Sequence, residues 1–245
     1  MHGFANPARF LRIAKWLTPL CLLAGLVLFG AVVVYGLWFA PAERLQGESA
    51  RILFVHVPTV WFGMAGWTTI AIASLAELVW RHPLAALAAR AAAVPGAVFT
   101  ALGLATGSIW GRPAWGTWWE WDGRLTSFLV LLFLYLGYIA LAQALDREGG
   151  SSRVAAVFGL VGAVNIPIIH YSVIWWNSLH QVPSISTSGS SMAPEYLWGM
   201  LAGALGISLL FGGVVLARMR MLLANVQADA RLRRKAMAAT FEAEA

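Results

Sequence analysis

The sequence predicts an all-α, polytopic membrane protein with six transmembrane helices. Its 245 residues are 60% hydrophobic and only 11% charged, whereas a soluble domain typically carries about 25% charged residues. Six runs reach the roughly 20 apolar residues that a helix needs to cross a bilayer. These runs cover residues 16–39, 52–79, 91–110, 125–145, 154–174 and 196–217. Because every connection between them is short, we expect a single domain over residues 1–245.

The first run must be distinguished from a cleaved signal peptide, because Ala40-Pro-Ala42 resembles a cleavage site. The run exceeds the usual ~7–15 apolar residues of a signal segment, so we interpret it as a retained anchor. Later runs end at charged residues or at Pro and Gly. Pro95, Asn165 and Pro167 lie inside runs, where a membrane helix tolerates them if they face other helices. Four small residues in the sixth run allow close helix approach, namely Gly203, Gly206, Gly212 and Gly213.

The distribution of Lys and Arg predicts the orientation of the helices. Thirteen of these residues lie in the N-terminal segment, the second and fourth connections and the C-terminal tail. Only four lie on the other side, namely Arg44, Arg51, Arg112 and Arg124. By the positive-inside rule, both termini are expected in the cytoplasm. The basic tail at about 218–245 is therefore interpreted as a topology signal and a contact for anionic lipid, and no nucleic-acid partner is expected.

Several features are excluded by the residues that the chain lacks. Cys21 is the only cysteine, which excludes an intrachain disulfide, a Cys-x-x-Cys redox pair and a covalent haem attachment motif. The sequence has no G-x-x-x-x-G-K motif, and its only lysines are Lys15 and Lys235. The chain is therefore not itself a P-loop ATPase.

A tryptophan-rich loop at about 111–125 lies between the third and fourth runs, on the predicted outer face. Clustered indole rings suit the face of a flat aromatic ligand, because indole is large, planar and carries one N–H donor. The alternative is a belt of anchors at the membrane interface, where tryptophan is common. The four tryptophans of the loop and two more on the same face are Trp115, Trp118, Trp119, Trp121, Trp175 and Trp176.

Histidines on both sides of this loop suggest which ligand it receives. His56 and His180 lie in the neighbouring outer segments, and two imidazoles on opposite faces complete an octahedral haem centre. His170, near the outer end of the fifth run, is a rival ligand by position. The four outer arginines are candidates to pair with haem propionates. Asp122 and Arg124, which begin the fourth run, are alternatively expected to pair with one another.

Three motifs in the sequence indicate a protein family. The stretch Trp-Gly-Thr-Trp-Trp-Glu-Trp-Asp-Gly-Arg-Leu-Thr-Ser at 115–127 resembles the WWD signature of the haem-handling proteins of cytochrome c maturation. His-Val-Pro at 56–58 and Trp-Trp-Asn-Ser-Leu-His-Gln at 175–181 lie on the same predicted face. With these motifs in order, nearly the whole chain is similar to the cytochrome c maturation protein C family, also called haem exporter protein C. The haem-ligand histidines of that family match His56 and His180, and His170 lies outside the motifs.

The resemblance implies a haem-handling protein of the bacterial inner membrane rather than an enzyme. Such a protein binds haem b transiently at the periplasmic face and passes it to a haem chaperone, the maturation protein E family. Its further partners would be an ABC transporter made of the maturation proteins A and B, and a small single-span protein, the maturation protein D. The residues expected to bind the haem itself are Arg51, Trp115, Trp118, Trp119, Trp121, Asp122, Arg124, Trp175 and Trp176, with His56 and His180 as iron ligands.

Two other functions remain open at this stage. A haem lyase of the same superfamily would join haem to apocytochrome thiols, but such proteins are usually larger chains with extra soluble domains. A membrane-embedded transport subunit would use the tryptophan-rich loop only as a belt and a docking surface. An absorption spectrum of the purified protein would separate haem binding from this last alternative.

Overall fold

The structure is a computed structural model that describes residues 6–147, 151–181, 184–186 and 189–244. Seven α-helices occupy most of this part of the chain. They are α1 (Pro7–Val34), α2 (Leu53–Trp80), α3 (Ala85–Trp115), α4 (Gly123–Arg147), α5 (Ser152–Gly162), α6 (Asn165–Trp175) and α7 (Pro194–Glu244). A π-helical turn at Tyr35–Phe39 extends α1, and a 3₁₀ turn at Glu48–Ile52 leads into α2. Two short antiparallel strands, β1 (Ile185–Ser186) and β2 (Gly189–Ser190), pair Ile185 with Ser190.

These helices confirm the predicted number of membrane spans. Six segments of the described chain are long and apolar enough to cross a bilayer, with α5 and α6 together forming the fifth. Their bounds are Pro7–Phe39, Glu48–Trp80, Ala85–Trp115, Gly123–Arg147, Ser152–Trp175 and Pro194–Ala238. The helices extend beyond the apolar runs because polar residues also favour helix at the ends. At α1, for example, the Asn6 side chain accepts hydrogen bonds from the backbone N–H groups of Ala8 and Arg9.

The fifth span is interrupted between α5 and α6. Pro167 has no N–H group, so the carbonyl of Ala163 lacks its usual helical donor four residues along. The N–H of Ile166 bonds that carbonyl instead, at 3.1 Å. Asn165 is buried beside the break and donates its side-chain amide to the carbonyl of Ser127 in α4, at 2.9 Å. Pro95 and Asn165 are buried among other helices, whereas Pro167 is exposed.

Helices α1 and α7 approach closely because glycines line their contact. A Cβ atom at Gly206 would lie 2.8 Å from the backbone nitrogen of Phe29, and one at Gly25 would lie 2.7 Å from the nitrogen of Leu210. Neither distance is compatible with a larger side chain at its place. Gly203 and Gly213 also face neighbouring atoms, as predicted. A Cβ at Gly212 would meet nothing within 4 Å, so Gly212 does not serve the close approach expected of it.

A tyrosine-filled notch holds α2, α3 and α4 together. The ring of Tyr135 from α4 is fully buried, and its hydroxyl donates to the carbonyl of Gly63 in α2 at 2.8 Å. Cβ atoms at Gly66 of α2 and Gly96 of α3 would lie 2.5 and 2.2 Å from that hydroxyl oxygen. Two glycines therefore create the space that one tyrosine occupies. Trp67 packs edge-on against the same ring, with 4.9 Å between centroids.

Candidate functional site

A cavity of about 410 Å³ opens where the tryptophan-rich loop meets the ends of the helices. Its wall is formed by α2, α3, α4, α6 and α7 together with the tryptophan-rich loop and the segment between α6 and α7. The size lies within the roughly 300–1,000 Å³ that is usual for small-molecule sites. Of the residues predicted to bind a ligand, the following line it: His56, Trp115, Trp119, Arg124 and His180.

His56 lies on α2, is only 9% exposed and lines this cavity. Its Nδ1 lies 3.0 Å from the hydroxyl oxygen of Thr106 in α3. The Thr106 hydroxyl donates its own proton to the carbonyl of Leu102 at 2.7 Å. The hydroxyl oxygen is therefore the acceptor for Nδ1–H, which leaves the lone pair on Nε2 available to a metal. A Cβ at Gly107 would lie 3.0 Å from the imidazole, so glycine gives this ring its room.

His180 lies in the segment after α6 and is held by Asp122 of the tryptophan-rich loop. The distance from its Nδ1 to the carboxylate oxygen Oδ2 is 3.3 Å. Asp122 is buried and also accepts hydrogen bonds from the hydroxyl of Ser178 and from the N–H of Leu125, the latter at 2.7 Å. The expected alternative, an Asp122–Arg124 ion pair, is wrong among the described residues, because the carboxylate pairs with His180 instead.

The electrostatics of this pair keep the histidine neutral and the aspartate charged. Burial lowers the pKa of His180 below its usual value, although the hydrogen bond to Asp122 partly opposes the shift. Burial raises the pKa of Asp122, but hydrogen bonds from Ser178 and Leu125 outweigh it, so this pKa lies below its usual value. Neutral imidazole is the form that binds a metal. Near pH 7 the pair is therefore prepared for coordination.

The predicted tryptophans divide into two groups. Trp115 and Trp119 line the cavity, and the Trp115 ring lies 4.6 Å from the His180 ring, edge to face. The indole N–H of Trp119 is buried without a hydrogen-bond partner in the described part of the chain. Four others do not line the cavity and are more than half exposed, namely Trp118, Trp121, Trp175 and Trp176. The loop turns at Gly116, directly after Trp115, where φ is +80°.

The structure also adds Trp110, which the sequence did not suggest, and places the rival ligand His170. Trp110 of α3 lines the cavity, lies 5.7 Å from the His56 ring and donates its N–H to the Gln46 side chain at 3.0 Å. In the sequence it marks only the end of an apolar run. The sequence feature that could have identified it as part of the site is its position five residues before Trp115. His170, the rival ligand, is exposed and lines the same cavity, with its ring packed edge-on against Tyr171 at 4.8 Å.

Of the four outer arginines, the two expected to bind the haem, Arg51 and Arg124, have different surroundings. Arg124 lines the cavity and donates to the Ser172 hydroxyl at 3.4 Å and to the His170 carbonyl at 3.2 Å. Within the described residues, no carboxylate oxygen lies within 4.0 Å of its nitrogens. Arg51 does not line the cavity; it pairs with Glu48 at 3.0 Å and donates to the Leu37 carbonyl at 2.7 Å. Of these two arginines, Arg124 is therefore the one whose positive charge lies at the cavity.

Comparison with known proteins decides the family. The family model for heme exporter protein C matches residues 1–234. The chain belongs to this family. Among curated relatives, heme exporter protein C of Bradyrhizobium diazoefficiens is 50% identical over 217 residues, covering 88% of this chain and 82% of the relative. Heme exporter protein C of Escherichia coli K12 is 44% identical over 223 residues, covering 91% and 90%.

The match extends to a further relative at the same identity. Heme exporter protein C of Haemophilus influenzae is 44% identical over 222 residues, covering 90% of each chain. Because the relatives are bacterial and the chain has six helices able to span a bilayer, this member of the heme exporter protein C family is a multi-pass bacterial membrane protein. The family resemblance predicted from the three motifs is confirmed.

Proposed function

We propose that this protein binds haem in the cavity between His56 and His180 and passes it to a periplasmic chaperone. The observation that carries the proposal is the pair of imidazoles that line one cavity, each with its Nδ1 directed to an acceptor of the protein. Both Nε2 lone pairs are then available, and two imidazoles are a well-known axial set for haem iron. The names of the relatives point to the same ligand.

The other groups of the cavity fit the remaining parts of a haem. Trp115 and Trp119 offer flat aromatic surface for the porphyrin, and the unpaired N–H of Trp119 is a donor that a ligand can satisfy. Arg124 has no carboxylate partner among the described residues and suits a propionate, since guanidinium binds carboxylate through two parallel hydrogen bonds. Haem b is the cargo in this scheme, and it is bound transiently rather than kept.

The proposal places the cavity at the periplasmic face of the inner membrane, with both termini in the cytoplasm. The charge asymmetry of the sequence supports this orientation. As the chain has no P-loop, ATP hydrolysis belongs to partner subunits, the maturation proteins A and B. The haem chaperone of the maturation protein E family receives the cargo, and the single-span maturation protein D completes the assembly. The protein itself handles haem and is not a catalyst.

Absorption spectra of the purified protein test the axial assignment. We expect His56→Ala and His180→Ala each to lose the six-coordinate low-spin haem spectrum, because one iron ligand is removed, and to fail in loading the chaperone. His82→Ala, in the connection between α2 and α3, is the matched control and should keep both properties. If both cavity variants kept the wild-type Soret band and loaded the chaperone normally, the assignment would be wrong.

The same measurement separates His180 from its rival. His170 lines the cavity but lies outside the family motifs, and we expect His170→Ala to retain the low-spin spectrum. A spectrum lost in His170→Ala and kept in His180→Ala would transfer the ligand role to His170. Absence of bound haem from fresh membranes at full haem supply would instead favour a purely structural subunit.

A further inference from the structure

We propose that the two histidines are unequal ligands: His180, held by Asp122, stays with the haem, whereas His56, held by Thr106, is released first. This inference rests on the proposed function and adds the order of release and two positioning residues. Neither Asp122 nor Thr106 is expected to touch iron. Each acts through the hydrogen bond that it accepts from the Nδ1–H of one histidine.

The two hydrogen-bond acceptors differ in their chemistry. Asp122 presents a carboxylate, and an imidazole that donates to a carboxylate is a stronger electron donor to its metal. Thr106 presents a neutral hydroxyl oxygen, whose own proton is directed to the carbonyl of Leu102. A hydrogen bond to a charged acceptor is roughly twice as strong as one between neutral groups. The bond from iron to His180 is therefore expected to be the stronger of the two.

The two histidines also differ in the parts of the fold to which they are attached. Asp122 accepts hydrogen bonds from both Ser178 and His180, so it ties the tryptophan-rich loop to the segment after α6. Trp115 contacts the His180 ring, and Trp176 packs so close to Gly123 that a Cβ there would lie 2.9 Å from the indole. These outer segments form one connected unit around His180. His56 lies outside this unit, in the first turn of α2, and its Nδ1 partner Thr106 belongs to α3. A haem that moves outward with the outer unit leaves His56 behind.

The step involves ligand exchange without redox chemistry. The iron–Nε2 bond to His56 breaks, and the neutral imidazole keeps its lone pair. One neutral ligand from water or from the acceptor protein takes the vacant position. The iron keeps its oxidation state, and no proton needs to move.

Carbon monoxide binding to the ferrous, haem-loaded full-length protein tests the order. Carbon monoxide replaces the ligand that dissociates, and its C–O stretching frequency responds to the ligand that remains on the opposite side. We expect Thr106→Val to raise the limiting rate of carbon monoxide binding by about 2- to 13-fold, the effect of one neutral hydrogen bond, with an unchanged C–O stretch. Asp122→Asn, which keeps a capping oxygen for α4, should shift the C–O stretch because the ligand opposite carbon monoxide is altered.

The controls keep the result separate from misfolding and from the proposed function. Thr106→Ser retains the hydroxyl and should behave like the wild type in both measurements. A C–O shift in Thr106→Val together with none in Asp122→Asn would show that His180 leaves first and overturn the inference. Unchanged spectra and rates in both variants would overturn it too. A wild-type protein without a bis-histidine spectrum would instead refute the proposed function.

Discussion

Arg124 is the residue whose surroundings most directly suggest a role in holding the ligand. A guanidinium on an apolar cavity wall with no carboxylate partner among the described residues is costly to the protein unless a ligand neutralises it. Its two protein acceptors, the Ser172 hydroxyl and the His170 carbonyl, fix its orientation without neutralising its charge. The side chain is thus positioned in advance for an anionic group.

We expect Arg124→Gln to weaken haem retention by about 10-fold or more, because a charge-assisted hydrogen bond to the ligand is lost. Arg124→Lys should recover only part of the loss, since an ammonium cannot bind a carboxylate through two parallel hydrogen bonds. The rate of haem transfer to an excess of a haem-scavenging protein measures the effect. Arg51→Gln is the matched control, because Arg51 pairs with Glu48 away from the cavity. Equal losses in the two glutamine variants would contradict this assignment.

At the scale of helices, the contact between α1 and α7 depends on glycine. The backbone of Phe29 lies where a Cβ at Gly206 would be, whereas Gly212 on the same helix faces open space. The two positions therefore provide a matched pair for one substitution, with the same gain in helix propensity at each.

We expect Gly206→Ala to lower the melting temperature of the detergent-solubilised protein. The added methyl group forces the two packed helices apart, which costs about 1–3 kcal/mol. Gly212→Ala should leave the melting temperature unchanged or raise it slightly, because alanine favours helix by about 1 kcal/mol. Thermal unfolding followed by circular dichroism compares the two. Equal melting temperatures would mean that α1 and α7 shift apart freely.

The helices were largely predictable from the sequence, and the internal geometry of the site was not. Apolar runs predicted six spans because desolvation of the backbone in lipid leaves few other solutions. Trp119 lines the cavity whereas its neighbour Trp118 does not, and in a loop without regular secondary structure no periodicity predicts this division. The partner of Asp122 depends on a contact 58 residues along the chain, with His180. Such contacts follow from the packing of whole helices rather than from local patterns.

At the scale of the whole molecule, the described part of the chain has six helices able to span a bilayer, and six crossings would place both termini on the same side. The structure fixes the number of helices able to span, and the charge asymmetry supports the cytoplasm as that side. The tryptophan-rich loop is then on the opposite face. The single cysteine makes this arrangement easy to test, because Cys21→Ser leaves a background without thiols.

In that background, single cysteines are introduced one at a time. The outer membrane of the cells is made permeable while the inner membrane stays intact, and a membrane-impermeant thiol reagent is added. Trp118→Cys should react, because the side chain at 118 is exposed on the loop. Val226→Cys, exposed on α7 beyond the sixth apolar run, should react only after the inner membrane is opened. The reverse pattern would invert the topology and place the proposed haem site in the cytoplasm.

The notch around Tyr135 has a consequence for the way this protein can evolve. One phenol fills space left by glycines on two other helices, so none of the three positions can change alone without a clash or a void. Substitutions at Gly66, Gly96 and Tyr135 should therefore show strong epistasis: a larger residue at Gly96 is tolerable only alongside a smaller one at Tyr135. Sequence drift at these three sites is thus constrained to simultaneous, compensating steps.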